Sequence, residues 1–272
     1  MEARLQRRIQ RYGWDAAAQT YDNAWSSQLR PAHDALLKIA SLKPGMRVLE
    51  IACGTGLVTM RIADAVLPGG SVFATDIAGE MLAETANQAL LRGFDNVETA
   101  RMEAEILPLD DNSFDVAICS LGLMYIPDPV KALKEMCRVV RPEGIVDVTV
   151  WGERRNCGWA DIFPIIDAQV KSEVCPLFFS MGVPNVLATA MESAGLDQIE
   201  QTRQAVDMLF PDDGSLLHAQ IDGGAVALAA KRFSRETREE VDLAFLASVS
   251  AYRQEDGSYK IPGEFVNAIG RP

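Results

Sequence analysis

The chain has 272 residues, of which 48% are hydrophobic and 24% are charged. This balance is ordinary for a globular protein and leaves enough apolar side chains for a full core. The formal net charge of −12 argues against a nucleic-acid-binding surface, because such surfaces are basic. No apolar run has the length of a membrane span, and we expect no signal peptide in the basic amino-terminal stretch.

Cysteine and histidine usage points to a reducing compartment and away from metal chemistry. The five cysteines have no paired spacing, which predicts reduced thiols in a cytoplasm. His33 and His218 are the two histidines, and neither C-x-x-C nor H-E-x-x-H occurs. We therefore expect no protein-bound metal site.

The first 40 residues are predicted to be helical. One helix is expected around 14–22, and a second over 31–40, with Pro31 in its first turn. From there to residue 150 strands alternate with helices. The strands are predicted at 48–51, 72–76, 97–102, 114–119 and 145–150, and the helices at 57–65, 81–89 and 130–140. This alternation predicts a parallel sheet that is covered on both faces.

The pattern changes after Trp151. A helix broken by Pro164 is predicted over 156–174, and a second helix over 183–194. Residues 199–208 alternate like an edge strand, and 212–252 are predicted to be helical.

The stretch 47–56, RVLEIACGTG, organises the rest of the chain. A buried strand carries Glu50 near its end and passes into a turn with Gly54 and Gly56. Such a turn lets a ligand lie against bare backbone at the carboxyl edge of a sheet. A dinucleotide fingerprint needs a third glycine, but Thr59 occupies that place. With an acidic residue before the turn, the pattern favours a ligand with an ammonium and a ribose over one with a pyrophosphate.

Residues 50–56 resemble the E/D-x-x-x-G-x-G signature of class I S-adenosylmethionine-dependent methyltransferases. Within this class the chain is most similar to the ubiquinone/menaquinone C-methyltransferase-like (methyltransferase type 11) group, most clearly over residues 12–151. The resemblance implies a Rossmann-like three-layer α/β/α sandwich with a seven-stranded, mostly parallel sheet and a helical cap. The antiparallel last strand would lie at 265–269 and pair with 199–208.

The same resemblance implies how the chain is divided. Residues 1–40 would form a helical arm that covers the cofactor. Residues 41–272 would form the methyltransferase domain, with a helical insert at about 212–256 over the site.

Asp76 ends the second predicted strand, 20 residues after Gly56. An acidic residue at this separation meets a ribose in nucleotide-binding sheets. One carboxylate can accept hydrogen bonds from both ribose hydroxyls, and we therefore predict that Asp76 binds the ribose of S-adenosylmethionine. A solvated turn aspartate is the alternative.

Residues 101–108, RMEAEILP, resemble the D-A-E-x-L-P signature of the family, with Glu103 where relatives usually carry aspartate. The match implies that Glu103 accepts from the adenine amino group, with a plain surface glutamate as the alternative, and that the Ala104 N–H donates to a ring nitrogen. The Ala52 carbonyl would accept from the methionine ammonium, while Glu50 would orient the backbone around it or cap the turn. The cofactor site implied by the resemblance further contains Gly54, Gly56, Ile77, Met81, Met102 and Ser120.

Residues 120–128 resemble the family motif after the fourth strand, where Met124 replaces a histidine that many members carry. Met124 and Tyr125 suggest an apolar acceptor pocket without an imidazole base, with core packing as the alternative for Met124. Tyr21 and Asp22 resemble the amino-terminal Y-D pair of the family, and the Tyr21 phenol would lie against the sulfonium. Further candidates for the pocket wall are aromatic, namely Trp14, Trp25, Trp151, Trp159, Phe163, Phe178 and Phe179.

The sequence thus predicts transfer of the methyl group of S-adenosylmethionine to a small apolar or aromatic acceptor, without a histidine base. Nucleic acid is not expected as a partner, and a homodimer is left open. Two alternatives remain. One is a fold-mate that binds S-adenosylmethionine and performs other chemistry, and the second is an NAD-dependent oxidoreductase, which Thr59 disfavours.

Overall fold

The computed structural model describes residues 2–170 and 178–272. Its strands in chain order are β1 Arg47–Ile51, β2 Ser71–Asp76, β3 Val97–Arg101, β4 Phe114–Ser120, β5 Val140–Trp151, β6 Asp197–Phe210 and β7 Tyr259–Arg271. They form a seven-stranded sheet in the order β3-β2-β1-β4-β5-β7-β6. Strand β7 runs antiparallel to both of its neighbours, and the other pairs are parallel. The predicted topology, including the pairing of β6 with β7, is confirmed.

Helices flank the sheet and cover its carboxyl edge. The α-helices are α1 Ala3–Ala40, α2 Thr59–Ala65, α3 Gly79–Arg92, α4 Pro129–Val139, α5 Ile162–Asp167, α6 Val186–Ser193, α7 Asp213–Leu217, α8 Ala227–Ala230 and α9 Arg235–Ser248. Short 3-10 turns lie at Leu123–Tyr125, Arg154–Asn156, Ser180–Gly182 and Ser250–Tyr252, and a π-helical turn spans His218–Asp222. Within the described residues, no helix is both long and apolar enough to cross a membrane.

Alternate side chains of the central strands enter two separate apolar layers. On β1, Val48 packs into one cluster while Leu49 packs into the other, because successive strand side chains point to opposite faces. Helix α1 contacts both layers, with Leu29 in the cluster of Leu49 and Leu36 in that of Val48. The arm therefore crosses from one face of the sheet to the other.

The amino-terminal arm is one helix, whereas two were predicted. Pro31 lies inside α1, although proline cannot donate the helical hydrogen bond that its position calls for. The buried side chains of Leu29, Ala32 and Leu36 continue on both sides of the proline. Their packing against the two apolar layers stabilises one continuous helix at the point where Pro31 predicted the start of a second helix.

Strand β5 begins at Val140, five residues earlier than predicted from the Arg-Pro-Glu-Gly sequence at 141–144. This segment pairs with β4 through a register shift between Phe114 and Val116. A Cβ atom at Gly144 would lie 2.4 Å from the Asp115 carbonyl oxygen. Glycine at this position therefore permits close strand approach and does not mark a turn.

The predicted helix over 156–174 is also wrong within the described residues. The structure has a 3-10 turn at Arg154–Asn156 and the short helix α5, while residues 171–174 of the prediction lie outside the described residues. Pro164 lies in the first turn of α5, where the N–H that proline lacks would have no helical partner. It therefore stands at a helix start and does not break a longer helix.

The segment between β6 and β7 is helical as predicted but divided. Asp212 accepts a hydrogen bond from the Ser215 N–H at 2.7 Å and starts α7, and Ser234 caps α9 through the Thr237 N–H at 3.1 Å. Each cap satisfies an N–H that has no helical partner, and so each marks a new helix.

A buried polar cluster joins β5 to β7. The Asn267 amide donates to Asp147 Oδ1 and to Thr149 Oγ1, both at 2.9 Å. Burial raises the pKa of Asp147 to about 7. Asp147 Oδ2 has no hydrogen-bond partner within the described part of the chain, which disfavours the charged form further.

Asp147→Asn should stabilise the protein more at pH 8 than at pH 5. An unfolded aspartate has a pKa of about 4, whereas Asp147 in the folded protein has a pKa of about 7. At pH values between the two, the folded state therefore binds one proton that the unfolded state has lost. Stability is therefore lost as pH rises through this range, and the amide removes the loss. We expect the gain in the free energy of unfolding to be larger at pH 8 by at least about 1 kcal/mol, measured by urea unfolding. Asp64→Asn, at an exposed helix position, is the control. An equal gain at both pH values would contradict the assignment.

Candidate functional site

A cavity opens at the carboxyl ends of β1, β2 and β4. Its wall includes Ala52 after β1, Asp76 at the end of β2 and Ser120 at the end of β4. Helix α1 and the segment after β6 close it from above, with Tyr21 and Gln220 among the lining residues. Ligands bind at this edge in open α/β sheets because the strand order reverses there.

The turn after β1 presents its backbone to the cavity. Ala52, Gly54 and Gly56 have φ values of 54°, 59° and 91°, in the left-handed region that favours glycine. A Cβ atom at Gly54, which lines the cavity, would meet nothing within 4 Å. The open space above Gly54 therefore lies where a ligand could contact the bare turn.

Asp76 fixes this turn to the end of β2. Its carboxylate accepts hydrogen bonds from the Gly54 N–H at 3.0 Å and from the Ala78 N–H at 2.9 Å. Burial raises the pKa of Asp76, and the backbone donors oppose the rise. Since a carboxylate has about four lone-pair positions, Asp76 can still accept from a ligand.

Glu50 lies behind the cavity wall and does not line it. Its carboxyl group accepts from the Thr59 hydroxyl at 2.6 Å and is 1% exposed. Burial raises the pKa of Glu50 to about 8, and the charge of Asp76 adds to the rise. Thr59 stands where a dinucleotide motif has its third glycine, and its hydroxyl forms this buried hydrogen bond to Glu50.

The end of β4 packs closely against the turn after β1. Leu121 has a φ of 57°, and a Cβ atom at Gly122 would lie 2.4 Å from the Ala52 Cβ. The Ser120 hydroxyl is buried, lines the cavity, and has no partner within the described residues. Met124 was expected in the pocket wall, with core packing as the alternative, and it does not line the cavity. Its side chain is 2% exposed and packs in the apolar core with Leu123.

Helix α1 is held to the loop after β3 by an ion pair. The Arg7 guanidinium contacts the Glu105 carboxylate at 2.7 and 2.9 Å and lies 3.3 Å from Glu103. Glu105 is 3% exposed and also accepts from the Asp128 N–H at 3.1 Å. The beginning of α1 is thereby fixed beside Met102, Glu103 and Ala104, which line the cavity.

Aromatic rings continue along the wall away from the glycine turn. Trp14 lies 5.7 Å from Tyr21 and 5.1 Å from Tyr125 between ring centroids, and Tyr125 lies 5.6 Å from Phe178. Trp159 follows at 5.5 Å from Phe178. Trp25, Trp151 and Phe163 also line this part, whereas Phe179 packs behind Phe178 at 4.7 Å and does not line the cavity.

The side chains that line the cavity and could exchange a proton are Tyr21, Asp76, Glu103, Glu105 and Tyr125. Burial raises the pKa of the Tyr21 phenol, and the carboxylates of Asp22 and Asp76 add to the rise, which favours the neutral phenol. Neither histidine lines the cavity. Burial lowers the pKa of His33 to about 4. Among the described residues, no group of three or more His, Cys, Asp or Glu side chains could hold a metal ion.

The cavity brings together most of the residues singled out in the sequence. They are Tyr21, Ala52, Gly54, Asp76, Ile77, Met81, Met102, Glu103, Ala104, Ser120 and Tyr125. Glu50, Gly56 and Met124 do not line it. Sequence reasoning missed Arg7, Gln10, Leu121, Gly122 and Gln220, which also line it. Of these, Leu121 and Gly122 follow a predicted strand end and could have been found by that signal.

Arg7→Met should loosen the beginning of α1. The change leaves the buried Glu105 carboxylate without its cation, and removing one partner of a buried pair is strongly destabilising. We expect the amides of residues 3–12 to exchange hydrogen about tenfold faster or more, since a local loss of about 1.4 kcal/mol gives this factor. Arg8→Met, one residue on and exposed, is the matched control. Equal exchange in the two variants would show that the ion pair does not hold the arm.

The sequence matches a known protein family and several of its curated members. The family model described as the ubiE/COQ5 methyltransferase family matches residues 23–160, half of the chain. A demethylmenaquinone methyltransferase of Bacillus cytotoxicus is 38% identical over 127 residues, covering 47% of this chain and 54% of that protein. The ubiquinone/menaquinone biosynthesis C-methyltransferase UbiE of Hahella chejuensis is 42% identical over 118 residues, covering 43% and 47%. The chain thus spans about half the length of these curated relatives.

A solved structure extends the likeness of fold to nearly the whole chain. Phosphoethanolamine N-methyltransferase 2 of Haemonchus contortus, in complex with S-adenosyl-L-methionine, superposes with a TM-score of 0.62 at 18% identity. The superposition covers 95% of this chain and 57% of that one. With the family model matching the strands and turns that form the cavity, the chain belongs to the ubiE/COQ5 methyltransferase family.

Proposed function

We propose that this protein transfers the methyl group of S-adenosylmethionine to a small apolar or aromatic acceptor. The observation that carries the proposal is the buried Asp76 carboxylate, which lies at the end of β2 beside the open space over Gly54. Membership of the ubiE/COQ5 methyltransferase family supports the same reaction.

Each part of the cofactor would find partners among the lining residues. Asp76 would accept from the ribose hydroxyls, and Glu103 with the Ala104 N–H would bind the adenine edge. The Ala52 carbonyl would accept from the methionine ammonium. The buried Ser120 hydroxyl, which lacks a partner in the described structure, is a further acceptor for this ammonium.

Electrostatics favour a cationic ligand at this place. In the described part of the chain, neither Glu50 nor Asp76 forms an ion pair, and burial raises the pKa of both carboxyl groups. A positive group in the cavity would lie beside Asp76, and its charge would favour the ionised forms of both carboxyl groups and lower these pKa values. S-adenosylmethionine brings two such groups, an ammonium and a sulfonium, whereas a pyrophosphate would add negative charge.

The chain's residues would act by alignment and by excluding water. When bound, the cofactor supplies a methyl group that is already activated by its sulfonium. The aromatic wall would hold an acceptor against this methyl group, and alignment alone lowers a barrier by about 7–11 kcal/mol in the best cases. Tyr21, whose phenol favours the neutral form, would contact the sulfonium through its ring or hydroxyl. No histidine base is required in this scheme.

The names of the demethylmenaquinone and UbiE relatives favour a quinone-like ring as acceptor, and the aromatic wall is compatible with one. Arm and insert would cover the cofactor together, as supported by the hydrogen bond from Trp25 Nε1 to the Gly223 carbonyl at 3.0 Å. A cytoplasmic location is supported by Cys53, Cys119, Cys137 and Cys157, which are free thiols.

The test is a transfer assay with S-adenosylmethionine carrying a deuterated methyl group and a panel of phenol, quinol and amine acceptors. We expect S-adenosylhomocysteine and one product with a deuterated methyl group, both seen by mass spectrometry. Binding without transfer to any acceptor would favour a fold-mate with other chemistry. Calorimetric binding of NAD in place of S-adenosylmethionine would favour the oxidoreductase.

A matched pair of glycine variants tests whether the reaction takes place in the cavity. Gly54→Ala and Gly69→Ala both put a methyl group at positive φ, and in neither case does the new Cβ meet another atom within 4 Å. Both carry a similar backbone strain of about 1–2 kcal/mol, but only Gly54 lines the cavity. We expect Gly54→Ala to lower the transfer rate about tenfold or more, and Gly69→Ala to retain it. Equal rates would contradict the proposed site.

A further inference from the structure

Two buried N–H donors in the aromatic part of the cavity have no partner. Gln220 is 3% exposed and Trp159 is 2% exposed, and both line the cavity. Within the described residues, neither Gln220 Nε2 nor Trp159 Nε1 makes a hydrogen bond. A buried donor without a hydrogen-bond partner lowers the stability of the folded state, and most buried polar groups have a partner. A ligand that accepts hydrogen bonds would remove both penalties.

The backbone around Gln220 is specialised. Gln220 lies in the π-helical turn at His218–Asp222, which the Gly223 N–H closes on the His218 carbonyl at 2.9 Å. A Cβ atom at Gly223 would lie 2.7 Å from the Cβ of Ala24 in α1, so this turn packs directly on the arm. π-helical turns are rare and occur frequently at functional sites. The turn thus places Gln220 at the cavity wall.

The residues that line the cavity indicate which class of ligand the two N–H donors would bind. Arg7 is the one lysine or arginine among the described lining residues, and its guanidinium is paired with Glu105. The rings around Trp159 include Phe163 and Phe178. Aromatic walls can bind a cationic amine through cation–π contacts. However, two unpartnered N–H groups present the positive ends of their dipoles and favour an oxygen acceptor instead.

We propose that Gln220 and Trp159 determine specificity by donating hydrogen bonds to an oxygen atom on an uncharged, ring-bearing methyl acceptor. The inference rests on the proposed function and names the substrate class for the same cavity. The rings bind the flat apolar body, and the two donors fix its orientation relative to the cofactor side, where Ser120 and Tyr125 line the wall.

Three ring compounds that share one scaffold test the inference by calorimetry in the presence of S-adenosylhomocysteine. 1-Tetralone carries a carbonyl oxygen, tetralin carries no polar group, and 1-aminotetralin carries a protonated amine. We expect the wild-type protein to bind 1-tetralone about tenfold more tightly than tetralin, and to bind 1-aminotetralin least. Gln220→Met and Trp159→Phe should each lower the preference for 1-tetralone over tetralin several-fold.

Phe163→Leu is the matched control, because it removes apolar wall without removing a donor. This variant should weaken the binding of 1-tetralone and of tetralin to the same extent and keep the preference for 1-tetralone. Equal binding of the three compounds by the wild-type protein, tightest binding of 1-aminotetralin, or an unchanged preference in both donor variants would overturn the inference. Failure of the proposed function would appear separately, as absent binding of S-adenosylhomocysteine to the wild-type protein.

Discussion

The Asp76 carboxylate joins the ends of two neighbouring strands, and the candidate site depends on this contact. By accepting from the Gly54 N–H, it holds the turn after β1 in its left-handed conformation beside β2. The Thr75 hydroxyl donates to the Glu50 carbonyl at 3.0 Å and adds a second link between the same strands. The bare backbone at this edge leaves space for a ligand, and the buried carboxyl group supplies a negative charge that favours a cationic one.

The covering elements extend this edge into an enclosed cavity. Helix α1 contacts both apolar layers, and it is fixed at its beginning by Arg7 and near its middle by Trp25, whose indole donates to Gly223. The segment after β6 therefore packs on the arm as well as on the sheet. Two environments result along one cavity, a polar one near Asp76 and an aromatic one near Trp159.

Strand order and the polar end of the site could be predicted because their signals are local. The strand before Glu50, the turn glycines and Asp76 each follow from a few neighbouring residues. Arg7 could not be assigned, because its partner Glu105 lies 98 residues away and only the folded chain joins them. The continuity of α1 through Pro31 has the same origin, since tertiary packing of its buried face overrides the local break. Gln220 could not be predicted either, because no local sequence pattern marks it and only the π-helical turn brings it to the cavity wall.

Calorimetric titration of S-adenosylhomocysteine into the wild-type protein, Asp76→Asn and Asp110→Asn tests the central claim most directly. Asp110 is exposed and does not line the cavity, so its variant controls for the change in net charge. The account predicts binding to the wild-type protein, unchanged binding to Asp110→Asn, and a dissociation constant at least about tenfold higher for Asp76→Asn, since hydrogen bonds to charged groups contribute about 1.5–3 kcal/mol. No binding to the wild-type protein, or an unchanged dissociation constant in a folded Asp76→Asn variant, would contradict it.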